Sequence, residues 1–165
     1  MRNIAVIGVM GCGKTESGVL LAEKLGRELI EIDIEIEHQM GMTVKEIFAK
    51  FGEGHFRALE CATIKEAALK DDAIISTGGG CVLNDEAMTA LKKTSTVVFI
   101  ERDLDEIINT VDTTTRPLLK NGAQALYDIY AKREMLYRKY ADVTIINDST
   151  LDVLVDKIIA VCEEE

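Results

Sequence analysis

Basic residues are scarce in this chain: 19 lysines and arginines stand against 29 acids in 165 residues, a formal charge of −10. With no cationic stripe to neutralise a phosphate backbone, nucleic acid is not an expected partner. Cysteine occurs four times, at Cys12, Cys61, Cys81 and Cys162, without a C-x-x-C pair, so reduced thiols in a cytoplasmic protein are expected. No apolar run approaches the ~20 residues that span a bilayer, so no membrane contact is expected. The short apolar stretch near the N-terminus runs straight into a glycine loop, unlike a cleavable signal. Repeats and low-complexity linkers are lacking too, and 18.2 kDa suffices for one domain with a proper core but not for an appended substrate domain. A single domain and a monomer are expected, and the site must lie on that one fold.

What the chain does have is a phosphate loop. Gly8-Val9-Met10-Gly11-Cys12-Gly13-Lys14-Thr15 completes the pattern G-x-x-x-x-G-K-[ST] directly after the apolar run Ile4–Ile7. Strand, glycine loop and helix start in that order aim the backbone N–H groups of Gly11, Cys12, Gly13, Lys14, Thr15 and Glu16 at a polyphosphate. Lys14 can reach the terminal phosphates, and the Thr15 hydroxyl can ligate Mg²⁺. A nucleoside triphosphate with Mg²⁺ is the expected ligand.

Strand-like runs alternate with helical segments, the pattern of a parallel sheet covered on both faces. The candidate strands are residues 3–7, 28–33, 73–76, 96–101 and 143–147. Helix starts are marked by Thr43 with Glu46, Asp103 with Glu106, and Ser149 with Asp152. Residues 111–122 show neither period and hold Arg116 before Pro117, the only proline. A loop of that length in a compact domain is often a lid, and the residue before proline is held extended.

No acid ends the third strand, which runs into Gly78-Gly79-Gly80. The second strand supplies one: Glu31 and Asp33, two apart, are expected on the same side, at the carboxyl edge where open α/β sheets bind ligands. One would serve the metal shell and the other an acceptor hydroxyl. Two arginines fall on inward-facing rows. Arg133 shares a helical stripe with Leu126, Ile129, Tyr130, Leu136, Tyr137 and Tyr140, and needs an anion or a route to solvent. Arg57 opens a row with Cys61, Ile64 and Ala68, where Glu60 is an equally good helix partner. Arg116 alone reads as a ligand or as a surface charge. The three glycines would let a ligand approach the main chain, and the stripe Val44, Ile47, Phe48 and Phe51 reads as core.

In combination these residues resemble the shikimate kinase family. The resemblance runs in order through the phosphate loop, Asp33, Ile47-Phe48, Phe56-Arg57, Gly78-Gly79-Gly80, Arg116-Pro117-Leu118-Leu119, Lys132-Arg133 and Tyr137-Arg138. It implies a five-stranded parallel α/β sheet of the nucleoside-monophosphate-kinase type and phosphoryl transfer from ATP to the 3-hydroxyl of shikimate. Carried over residue by residue, it implies a shikimate carboxylate between Arg57 and Arg133 with a contact to the Gly79 backbone. Asp33 would grip the ring hydroxyls, Lys14 and Arg116 would neutralise the phosphoryl group, and Thr15 would hold Mg²⁺. The chain departs from the family pattern at Glu31, Glu16 and Asn109, and it lacks an arginine in residues 147–150. A gluconate-type kinase and a nucleotide-binding module without turnover are the alternatives.

Overall fold

The computed structural model describes residues 1–110 and 122–164. Arg116 and the rest of the expected lid lie outside the described residues, apart from Gly122.

Five strands form one parallel sheet: β1 (Asn3–Ile7), β2 (Leu29–Glu31), β3 (Ile74–Ser76), β4 (Ser95–Glu101) and β5 (Val143–Ile146). Their spatial order is β2-β3-β1-β4-β5. Every residue of β1 is buried, because helices cover both faces; this is why the strand reads as an unbroken apolar run rather than an alternating one. Register places Ile4 opposite Ile74 on one side and Thr96 on the other. The chain leaves β1 toward β2 and leaves β4 toward β5. Ligands of such sheets bind at the carboxyl edge, and here the cavity lies beyond the carboxyl ends of β1, β2 and β3.

Among the described residues eight α-helices surround the sheet: α1 (Lys14–Leu25), α2 (Ile32–Met40), α3 (Val44–Phe51), α4 (Glu53–Ala68), α5 (Asp85–Thr94), α6 (Leu104–Thr110), α7 (Ala123–Tyr140) and α8 (Leu151–Glu163). Helix α1 packs on α8 and β3, while α5 and α7 pack on β4 and α4 packs on α5. Arg27, one of seven arginines, ties the end of α1 to the molecule's far side through Asp72 at 2.8 Å and Glu163 at 2.6 Å.

Two caps match the sequence reading. The Thr43 hydroxyl accepts from the Glu46 N–H at 3.2 Å, and Asp103 accepts from Asp105 and Glu106. The third is displaced by one residue: Thr150, not Ser149, caps α8 by accepting from the Val153 N–H at 3.2 Å. The second strand is also shorter than expected. It stops at Glu31, and Asp33 belongs to the first turn of α2, so the two acids do not share a strand face.

Candidate active site

After β1 the chain turns through Gly8, Gly11 and Gly13, and α1 starts at Lys14 with no side-chain cap on its first turn. Gly13, at φ 111°, occupies a backbone region costly for any other residue, and a Cβ there would meet the Asn147 amide nitrogen at 2.9 Å. Lys14 Nζ donates to the carbonyls of Gly8 at 2.6 Å and Val9 at 3.1 Å, folding over its own loop. Two residues hold the loop from behind. Arg102 Nη1 donates to the Gly11 carbonyl and Asn147 Nδ2 to the Cys12 carbonyl, each at 2.9 Å. With these carbonyls engaged away from the cavity, the loop's remaining N–H groups and the helix start form an anion cradle. It fits a nucleotide polyphosphate. Mg²⁺ in such sites takes one or two protein ligands besides phosphate oxygens, and the Thr15 hydroxyl, which lines the cavity, fits that need.

Cys12 does not line the cavity, and its Sγ accepts from Lys14 Nζ. Its side chain is fully buried and its N–H donates to the Val9 carbonyl at 3.2 Å. Burial pushes its thiol up, and does the same to Cys81, to about 12.

Beyond the loop the cavity, of about 690 Å³, is closed by Asp33 from α2, Arg57 and Glu60 from α4, Arg133 from α7, and the three-glycine turn after β3. Each side chain is aimed by its element. Helix α4 begins at the glycine hinge Gly52, which stacks Phe56 on Phe48 of α3 at 4.8 Å. The Arg57 guanidinium lies over both rings, 5.3 Å from Phe56 and 6.0 Å from Phe48. Its Nη1 pairs with Glu60 at 3.0 Å and its Nη2 with Glu53 at 3.3 Å, yet Nε is buried without a hydrogen-bond partner among the described residues. Glu60 is 1% exposed, and burial raises its carboxyl above the usual range despite the Arg57 charge beside it. A Cβ on Gly78 would come within 3.0 Å of Asp33 and 3.1 Å of Glu60, so glycine there makes room for two carboxylates.

Arg133 is 7% exposed on the buried stripe of α7, and its Nη1 is buried with no partner among the described residues. A buried guanidinium nitrogen left unpaired is costly. The two arginines that carry such nitrogens stand on two helices and line one cavity beside a phosphate loop. The arrangement suits a ligand that brings its own carboxylate, since guanidinium groups bind carboxylates with charge-assisted hydrogen bonds.

The structure brings Gly11, Gly13, Lys14, Thr15, Glu16, Asp33, Arg57, Gly79 and Arg133 to one cavity. Glu31 does not line it. The stripe assigned to core from sequence divides: Ile47 is fully buried, Phe51 is exposed, and Val44 and Phe48 line the site. Sequence reading also missed Glu60 as a buried member of the site, and it missed Arg102 and Asn147 as clamps of the loop. Glu60 lies one turn from Arg57 on the same row, a signal that was visible but equally suited an ordinary helix pair.

Comparison with known proteins bears on this geometry. The family described as shikimate kinase matches residues 10–163. A shikimate kinase of Clostridium botulinum (strain Eklund 17B / Type B) is 39% identical, over 96% of each chain. One of Thermodesulfovibrio yellowstonii is 43% identical, over 96% of this chain and 94% of the relative. The solved shikimate kinase from Acinetobacter baumannii in complex with shikimate superposes with a TM-score of 0.93 at 33% identity, covering 100% of this chain and 95% of that one. Phosphate loop, parallel sheet and paired arginines thus occur in a chain that belongs to the shikimate kinase family, ATP- and Mg²⁺-dependent enzymes that phosphorylate a hydroxyl of shikimate.

Proposed function

We propose that shikimate binds with its carboxylate between Arg57 and Arg133 and its 3-hydroxyl toward the phosphate loop. The observation that carries this reading is that Arg57 and Arg133 line one cavity while each holds a buried guanidinium nitrogen, Nε and Nη1, without a hydrogen-bond partner among the described residues. Gly79 adds backbone contact at the same end. Asp33, in the same cavity, accepts hydrogen bonds from the ring hydroxyls and is the base candidate for the attacking one; a loose transition state asks little of that base.

ATP supplies the phosphoryl group, with its charge shared by Mg²⁺. Lys14 leaves the Gly8 and Val9 carbonyls to follow the terminal phosphates, and the Thr15 hydroxyl holds the metal. Arg116 is assigned to the transferring phosphoryl group on the sequence resemblance, as the tip of a lid over residues 111–122. Fixed charges of this kind lower the barrier by positioning and electrostatics rather than by covalent chemistry. A single domain acting as a monomer in the cytoplasm completes the reading; four free cysteines suit a reducing compartment.

A coupled ADP-release assay tests it. Turnover is expected with shikimate and not with gluconate, an open-chain acid whose carboxylate and hydroxyls are not held at fixed separation by a ring. Turnover with gluconate alone, or none with shikimate, would overturn the assignment.

A further inference from the structure

Tyr137 lies one helical turn beyond Arg133 on α7, so both side chains face the same way. It is fully buried, with its ring stacked on Phe99 at 5.1 Å. Stacking alone would make it a core residue. Its hydroxyl, however, donates to the carbonyl of Gly79 at 2.5 Å, inside the substrate turn.

The Gly79–Gly80 peptide is stretched between the two arginines. A Cβ on Gly79 would stand 3.7 Å from Arg133 Nη1, and one on Gly80 would run into the Arg57 guanidinium. No cis peptide occurs among the described residues, so the Gly79 C=O and Gly80 N–H point in opposite directions. Three consecutive glycines have no side chains to hold that plane, and a flip would turn a carbonyl oxygen into an anion site. We propose that Tyr137 is a positioning residue for the carboxylate clamp, whose hydroxyl fixes the Gly79–Gly80 peptide with its carbonyl toward α7 and its N–H toward the cavity between Arg57 and Arg133. The same helix then delivers both the charge of Arg133 and the hook that orients the neighbouring donor. Burial pushes the Tyr137 phenol up, so the hydroxyl keeps its proton at every working pH and remains a donor. The inference rests on the reading that this end of the cavity takes the shikimate carboxylate.

Tyr137→Phe removes the hydroxyl and keeps the ring on Phe99. Loss of one such hydrogen bond is expected to raise the shikimate KM about three- to tenfold, with the ATP KM within twofold of the parent. Inhibition by a ring analogue lacking the carboxylate should be equal in both proteins, because the clamp is then unused. A lower Tm with unchanged shikimate KM, or equal weakening of the analogue, would make Tyr137 a packing residue and overturn the proposal. Arg133→Met run alongside separates the two ideas. If it raises the shikimate KM while Tyr137→Phe does not, the clamp stands and the role of Tyr137 falls; if neither does, both fall. Amide exchange at Gly80 in the unaltered protein gives a reading that needs no folded variant. It should slow at least tenfold when shikimate binds, and unchanged exchange would refute the proposal.

Discussion

Replacing Arg133 by methionine should separate what the site needs from what the fold needs. Arg133 is 7% exposed and one of its terminal nitrogens is buried without a partner among the described residues. An unsatisfied buried donor costs about 1–3 kcal/mol, and methionine fills a similar elongated space without that cost. Lost packing and local electrostatics around Tyr137 offset part of the gain, so net stability should change by no more than about 1 kcal/mol. At about 2–4 °C per kcal/mol for a protein of this size, the Tm should stay within a few degrees of the parent. Binding should respond differently, because the variant leaves the shikimate carboxylate with one guanidinium. Removing one member of a desolvated charge pair costs about 2 kcal/mol or more, roughly thirty-fold in shikimate KM. The ATP KM should hardly move, since the phosphate loop is a separate part of the cavity. The measurements are coupled ADP-release kinetics with each substrate varied, and calorimetric melting without ligand. A large fall in Tm with an unchanged shikimate KM would show Arg133 to be a structural arginine and refute the reasoning.

Lys14→Ala should abolish turnover while leaving the circular-dichroism spectrum intact, because Nζ bonds within its own loop, to the Gly8 and Val9 carbonyls and the Cys12 Sγ; parent-like activity in the folded variant would contradict the assignment. Asn147→Ala frees the Cys12 carbonyl and should raise the ATP KM several-fold with little effect on the shikimate KM; equal rises in both would point to general loosening. Glu60→Gln probes pH dependence of stability. Burial raises the folded-state pKa of Glu60, so its favourable contribution is present at acid pH, where it is protonated, and is lost as pH rises through that pKa. Glutamine mimics the protonated form, so the variant's melting temperature relative to the parent should climb as pH rises above the ordinary glutamate value of about 4.3. A difference independent of pH would exclude Glu60 as its source.

Much of this molecule was legible in its sequence because its strongest signals are local. The phosphate loop, the apolar run of β1 and the caps at Thr43 and Asp103 each depend on residues within a few positions of one another. Glu31 and Asp33 misled because a three-residue edge strand and the first turn of a helix share one stretch in which isoleucines alternate with acids, and only pairing with β3 decides where the strand stops. Phe48 misled for another reason. Helical periodicity identifies an inward face but not whether that face meets core or cavity, and here it meets both. Asn147 and Arg102 act on a loop more than 90 positions away in sequence, a proximity created only by the sheet order.

The sheet order also dictates a folding schedule. Strand β1 sits at the centre, but its partners β3 and β4 begin at Ile74 and Ser95. During synthesis at about 5–20 residues per second, the five apolar-rich residues of β1 wait several seconds before either edge can be paired. No hairpin or neighbouring strand can shield them meanwhile, since parallel pairing needs a long crossover. The element that anchors the phosphate loop is therefore the one most exposed to mispairing while the chain is incomplete. Substitutions that make β1 or β3 more adhesive would show themselves as lower yield of folded protein, with unaltered kinetics in the molecules that fold.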